Sequence, residues 1–341
     1  MRPRQPRAGS DPPPDPFAEH EPQRGRAPLQ LLGGRFHFES RSAELLRLVD
    51  WAYAGLPAHK LAGRTPDFDV RLVLNGAGLR GPGRREPPDL TLVGGAGFLG
   101  GVAGPASFVA LSPQARGALV VIAREMFKFP YHARYELLEF AVFTLAARAQ
   151  QLLPLHAACV SLQGRGLLLM GPSGAGKSTV ALHCLLRGLD FVAEDAVFVA
   201  ARELLATGIA NFLHVCPDTL HWLSAAQARV IRAAPTIRRR SGVRKYEMDL
   251  RGAGHPLAAV PPKLAGLVFL SPKPGGRSLL RPLSGPEVRT RLAAAQPYAA
   301  GQPQWRRFEA NMEQRGGFEL RRGRHPQDSA AALQELLAAA R

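Results

Sequence analysis

Lysine is scarce in this chain: of 44 basic residues only six are lysine, at positions 60, 128, 177, 245, 263 and 273. The remainder are arginines scattered from Arg2 to Arg341 among abundant Ala, Gly and Pro. A formal net charge of +17 ordinarily points to nucleic acid, because clustered basic side chains displace counterions from phosphates. Without clustering the excess reads as a solvated basic surface, and nucleic-acid binding is not expected. Cysteine is also sparse. Cys159, Cys184 and Cys216 are an odd, scattered set in apolar surroundings, which argues against a disulfide framework and for a reducing compartment. No apolar run reaches membrane-span length, and the N-terminal residues carry no signal-peptide core, so a cytoplasmic protein is expected.

What is present is globular: 341 residues, 46% hydrophobic and 21% charged, enough for two domains with substantial cores. Residues 1–28 are dominated by Pro, Arg, Gly and acids and read as a disordered tail. From 29 to 132 the pattern is that of a small α+β domain. The run LQLLGGRFHF reads as a strand, and Ser40 to Ala54 as an amphipathic helix capped by Ser40 or Ser42. Further strands are expected at Phe68–Leu74, at Leu90–Val93 and over Phe108 to Ile122 with a proline break, separated by turns such as Gly81–Arg85. A helix over 133–152 connects to a second domain, 153–341.

That domain begins with a β-hairpin, Ala158–Leu162 and Gly166–Met170, turning at Gln163-Gly164-Arg165. A helix from Lys177 to Arg187 follows, with Gly188 as its C′ residue, then a buried strand Phe191–Ala193. Lys263–Leu270 reads as another buried strand, Ser284 to Glu287 as a capping box opening a helix to about Ala295, and Asp328–Ala340 as a last helix. Residues 218–262 yield no assignment. Trp222 and Trp305 are read as packing residues rather than base-stacking ones.

The most informative segment lies between His156 and Asp195. Gly171-Pro-Ser173-Gly174-Ala175-Gly176-Lys177-Ser178 fits G-x-x-x-x-G-K-[ST] between a strand and a helix. In such a loop the glycines let successive backbone N–H groups turn inward around phosphate oxygens, the lysine supplies a mobile positive charge, and the hydroxyl of Ser178 holds Mg2+. Glu194 and Asp195, at the end of the next strand, complete that metal site with Ser178. The nucleotide site is therefore expected to comprise Gly171 and Ser173 to Thr179, with ATP or another nucleoside triphosphate and Mg2+ as cofactors. His214-Cys216 and His156-Cys159 find no second pair at zinc-site spacing.

The order His156, hairpin, phosphate loop, Arg187-Gly188, then Val192-Ala193-Glu194-Asp195 resembles the C-terminal catalytic domain of the HPr kinase/phosphorylase family. The pattern there is H-G, a glycine-containing turn, G-x-S-G-x-G-K-S-E, R-G and V-A-D-D. The intervals between His156, Lys177 and Asp195 agree without gaps. The resemblance implies an α/β P-loop kinase domain of the HPr kinase/phosphoenolpyruvate carboxykinase-like type, here preceded by the smaller β-rich α+β domain. It further implies ATP- and Mg2+-dependent phosphorylation of a serine hydroxyl on a protein or peptide. Asp195 would be the base, with His156 and Lys177 also catalytic and Ser178 ligating magnesium, and homo-oligomerisation is in keeping with the family.

Three departures stand out. Glu194 replaces the first aspartate, Thr179 replaces a glutamate, and the family's E-x-R-G-x-G element is missing at its usual distance; Asp249-Leu-Arg251-Gly252-Ala-Gly254 lies about 30 residues too far along and reads as coincidence. That element is tied in the family to the metal site and to the phosphorylase half-reaction, so phosphorylase activity is not expected, and the acceptor need not be HPr. Arg238 to Lys245 is the candidate acceptor-docking loop. The alternative reading is a non-catalytic nucleotide-binding regulatory module.

Overall fold

The structure, a computed structural model, describes residues 25–76, 86–252, 254–275 and 279–339. Chain pairing begins inside the stretch read as tail: β1 (Gly25–Leu31) is an edge strand antiparallel to β2 (Gly34–Ser40). Composition could not show this, since Gly25 to Pro28 are held by backbone pairing, by an Arg26–Glu39 ion pair (2.9 Å) and by Ala27 against the core, contacts made only in the fold, and an edge strand tolerates the proline. The rest of that tail, residues 1–24, lies outside the described residues, as does the turn expected at Gly81–Arg85. The run LQLLGGRFHF is thus two strands, folded back at Leu32 and Gly33, whose φ angles of 50° and 82° make the tight turn that matches strand twist.

Helix α1 (Ala43–Tyr53) is capped by Ser42 and buries Leu45, Leu48, Val49, Ala52 and Tyr53, one stripe at helical spacing. It leads to β3 (Asp67–Asn75), parallel to β2, which turns Phe68, Val70 and Leu72 inward. β4 (Leu90–Gly95), β5 (Phe98–Ala103), β6 (Ser107–Ser112) and β7 (Gly117–Ala123) form an antiparallel meander, giving the sheet order β1-β2-β3-β7-β6-β5-β4. β5 was not anticipated because its glycines hide the strand pattern. A Cβ on Gly100 would lie 2.4 Å from the carbonyl oxygen of Val109.

The connecting helix is not regular. It starts as α2 (Pro130–His132), widens into a π-helical stretch, Ala133–Glu139, and continues as α3 (Phe140–Ala149). Phe143 of α3 packs on Phe198, ring centroids 5.1 Å apart, so the first core continues into the second domain.

That domain is built on β8 (Leu153–Leu155), β9 (Ala158–Leu162), β10 (Arg165–Met170), α4 (Lys177–Leu186), β11 (Asp190–Ala193), β12 (Val197–Ala200) and β13 (Leu205–Gly208). β14 (Phe212–Val215) comes next, and α5 (Ala225–Arg232), β15 (Thr236–Arg238) and β16 (Arg244–Asp249) lie in the region 218–262 that gave no sequence assignment. The remainder is β17 (Lys263–Pro274), β18 (Leu280–Leu283), α6 (Gly285–Ala295), α7 (Pro297–Ala300), α8 (Trp305–Arg315), β19 (Gly317–Arg322) and α9 (Pro326–Ala339).

β10 lies between β9, antiparallel, and β17, parallel. Leu167 and Leu169 point into a core with α4 and α9, whereas Leu168 and Met170 point into one with α6 and α8. Burial on both faces explains why this strand is apolar throughout. The expected hairpin turn is two residues, Gln163 and Gly164, both at positive φ, and Ser284 with Glu287 forms the expected capping box. β14, β16 and β15 form a separate three-stranded sheet.

Candidate functional site

β10 feeds directly into the phosphate loop, and α4 opens at Lys177 with Gly176 at its N-cap. Gly174 and Gly176 have φ of 83° and 95°, and nothing stands within 4 Å of where a Cβ would project. The loop is therefore open on its inner side, with the first N–H groups of α4 uncapped by any side chain, the arrangement that receives phosphate oxygens. Lys177 is buried and its Nζ donates to the carbonyl oxygens of Gly171 (2.8 Å) and Pro172 (3.3 Å). Burial lowers the Lys177 pKa, with Asp195 pulling the other way. The Thr179 hydroxyl is engaged with that of Thr219, 2.9 Å away.

Glu194 and Asp195 stand at the end of β11, against this loop. The Ser178 hydroxyl donates to Glu194 Oε1. Asp195 pairs with Arg239 through Oδ2 and faces His156 Nε2 at 3.7 Å through Oδ1. Burial opposes its charge, yet His156 and Arg239 prevail and hold the carboxyl well below the usual carboxylate range. His156 itself is fixed by its backbone: its N–H donates to Gln296 Oε1 (2.8 Å) and its carbonyl accepts from Gln296 Nε2 (2.9 Å). The imidazole is left half-exposed beside the aspartate.

Behind Glu194 lies His214 of β14. Its backbone N–H donates to Glu194 Oε2 at 2.8 Å and its Nδ1–H to the same oxygen at 2.9 Å, while Nε2–H donates to Glu247 Oε1 at 3.1 Å. Burial works against the imidazolium, but the two carboxylates overcome it and raise the pKa to about 9. Glu194 is lowered against burial by the same imidazolium. Lys245 Nζ lies 3.8 Å from Glu194 Oε1.

These residues fit a magnesium nucleotide. The ligand atoms of Glu194, Asp195 and His214 lie within 4.8 Å of one another, and Ser178 touches the first of them. With both ring nitrogens donating to carboxylates, His214 stands behind the group, leaving Ser178, Glu194 and Asp195 as the oxygen donors that would hold Mg2+. Among the described residues no cysteine joins this group.

The structure brings His156, Lys177, Ser178, Glu194 and Asp195 together. It also adds His214, Arg239, Lys245 and Glu247, which spacing could not place. The basic run is not a free docking loop. Arg239 enters the site, Arg240 forks onto Glu136 (2.8 and 2.6 Å), and Arg238 reaches Glu86 at 3.2 Å. Asp249 and Arg251 pair with each other, and Arg251 donates to the Ala54 carbonyl (3.1 Å), remote from the phosphate loop. Trp305 is buried, and Trp222 sets its ring edge-on to His325, 5.3 Å away.

Residues 147–212 match the family model of the HPr Serine kinase C-terminal domain. This segment of the chain is related to the HPr kinase family. The HPr kinase/phosphorylase of Chlorobium phaeobacteroides (strain BS1) is 39% identical over 66 residues, 18% of this chain and 20% of that protein. The shared stretch is thus a small part of either. Among solved structures, the Hpr(Ser) kinase/phosphatase from Coxiella burnetii aligns with 54% of this chain and 87% of its own, at 14% identity and a TM-score of 0.28. The HPr-kinase-related segment runs from the end of α3 to the start of β14, and so contains the phosphate loop, His156 and the acidic pair. No helix among the described residues is long and apolar enough to cross a membrane.

Proposed function

We propose that the protein is an ATP- and Mg2+-dependent serine kinase, related to HPr kinase, that phosphorylates a serine hydroxyl of a protein or peptide. The observation that carries this reading is the convergence of His156, Lys177 with Ser178, and Asp195 on one open loop, although they come from three separate turns of the fold. The loop amides and Lys177 hold the triphosphate, and Lys177 releases the Gly171 and Pro172 carbonyls to do so. Ser178, Glu194 and Asp195 would hold the metal, which neutralises charge on the phosphates when bound.

Asp195 accepts the proton of the acceptor hydroxyl, oriented by His156. For that, Asp195 exchanges its Arg239 partner for the hydroxyl, and the freed guanidinium would supply positive charge near the site. Loss of the E-x-R-G-x-G element supports transfer to serine without the phosphorylase half-reaction. The Arg239 latch also favours the second reading, a nucleotide-binding regulatory module, if the pair persists with nucleotide bound.

The test is incubation with γ-labelled ATP and Mg2+ in the presence of proteins or candidate peptides, followed by phosphoamino-acid analysis. Label in phosphoserine is expected. Nucleotide binding with neither phosphoserine nor released phosphate would sink the kinase reading.

A further inference from the structure

One buried charge near the site plays no part in the chemistry described so far. Arg134 lies in the π-helical stretch between the two domains and is 1% exposed. Its guanidinium lies over the ring of Trp51, on α1 of the first domain (4.4 Å), and over that of Phe212, on β14 of the second (4.2 Å), two rings that touch each other with centroids 5.4 Å apart and planes tilted by 55°. Its Nη2 donates to Glu247 Oε1 at 2.6 Å and its Nε lies 3.1 Å from Glu139 Oε1. Glu139 in turn accepts from Asn211 Nδ2 at 3.4 Å.

The π-helical geometry is what makes this arrangement available. Residues five apart on an α-helix point about 140° away from each other, so Arg134 and Glu139 would diverge. In a π-helix, with i→i+5 bonding, they share a face. Both are buried here.

From Arg134 the contacts run without a break to the phosphate loop. Arg134 holds Glu247 Oε1, the same oxygen accepts from His214 Nε2, His214 donates from Nδ1 and its backbone N–H to Glu194 Oε2, and Glu194 Oε1 accepts from Ser178. Glu194 therefore has one oxygen locked from behind and the other aimed at the loop serine. The lock is anchored by an arginine whose rings come from both domains and whose carboxylates come from the connecting helix and the second. A planar guanidinium laid on two ring faces, with Nη2 on Glu247 and Nε beside Glu139, fixes direction in a way that a lysine cannot.

We propose that Arg134 is a positioning residue of the phosphoryl-transfer site, acting through Glu247 and His214 to aim Glu194 at Ser178, so that the first domain sets the geometry of the metal carboxylate. The inference rests on the kinase reading for its purpose, but it stands on contacts that a metal-binding measurement reads directly. Partners that orient a ligand from behind typically govern metal affinity by about 10- to 100-fold, while nucleotide held by loop amides and Lys177 is independent of them.

The experiment uses the full chain and Mn2+ as the probe. Mn2+ binding in the presence of ADP is followed by electron paramagnetic resonance for the wild type, Arg134→Lys, Glu247→Gln and the double variant. ADP affinity is measured in chelator alongside. Arg251→Lys is the control: that arginine also stacks on Phe212 (5.0 Å) and reaches the first domain through Ala54, but it pairs with Asp249, outside the chain of contacts. Near-ultraviolet circular dichroism selects the folded variants.

Arg134→Lys and Glu247→Gln are each expected to weaken Mn2+ binding by roughly tenfold or more. Metal-free ADP affinity should be unchanged, the double variant no worse than the singles because the two act in series, and Arg251→Lys like the wild type. The proposal is overturned if the wild type binds no Mn2+, if the folded variants bind it as the wild type does, or if Mn2+ and metal-free ADP affinity fall together. A wild type that binds Mn2+ but phosphorylates no serine removes the kinase reading and leaves the relay standing.

Discussion

At the residue scale, His183 on α4 tests how the phosphate-loop helix is held down. It is fully buried, neither ring nitrogen makes a hydrogen bond, and His325 meets it edge-on at 5.4 Å. Burial first, and His325 second, lower its pKa from 6.5 to about 4. A histidine whose folded pKa is depressed binds its proton more readily when unfolded, so the stability it allows is complete above about pH 6.5 and drains away as pH falls toward 4. His183→Leu should flatten that acid-side loss, seen as urea midpoints that differ less between neutral and mildly acidic buffer than those of the wild type. An equal acid slope in both proteins would contradict the account. The grouping of His156, Lys177, Ser178, Glu194 and Asp195 in the candidate site was legible at this scale because they lie in one segment at fixed intervals. His214, Arg239, Glu247 and Arg134 were not, since each meets its partner only through tertiary folding; Arg134 and Glu247 are 113 residues apart.

At the element scale, two tight turns carry the approach to the loop. In the β9–β10 turn, Gln163 has φ 52° and Gly164 φ 75°, with open space around the latter. Gly164→Ala should cost about 1 kcal/mol through backbone strain alone, whereas Gln163→Asn should be neutral or stabilising because asparagine tolerates the left-handed region. Paired thermal melts check both. Gly176→Ala, at φ 95°, combines the same strain with distortion of the first N–H groups of α4, so its larger effect should be on nucleotide affinity, read by calorimetry. The hairpin, α4 and the α6 cap were readable because each has a local chemical cause. The π-helical stretch was not: apolar spacing from Tyr135 onward fits an α-helix, and the inserted residue shows only in the burial of Arg134, Glu136 and Glu139. β15 and β16 were illegible because they are short and rich in Arg, Lys and Glu, whose partners come only with the fold: Arg238 on Glu86, Lys245 beside Glu194, and Glu247 on Arg134 and His214.

At the scale of the whole molecule, the two sheets are pinned by His59, in the connection between α1 and β3. Its Nε2–H donates to the Ala258 carbonyl at 2.8 Å, so its Nδ1 accepts from the Thr207 hydroxyl, also at 2.8 Å. Thr207→Val keeps the shape and leaves that nitrogen unpartnered in a buried place, at a cost of roughly 1 to 3 kcal/mol. The measurement is the urea midpoint, with Glu335→Gln at an exposed position of α9 as a surface comparison of little effect. Arg134, Arg240 and Arg251 add contacts between the same two bodies: Arg134 on the rings of Trp51 and Phe212, Arg240 on the Pro88 carbonyl (2.6 Å) and Arg251 on the Ala54 carbonyl (3.1 Å).

The central claim is that the convergent site transfers a phosphoryl group with Asp195 as base. Rapid-quench measurement of γ-phosphoryl transfer to a serine acceptor, comparing the wild type with Asp195→Asn at matched nucleotide occupancy, tests it most directly. The account predicts a transfer rate lower by about 10² to 10⁴ in Asp195→Asn, with nucleotide affinity retained. Transfer at the wild-type rate in the folded Asp195→Asn protein would contradict it.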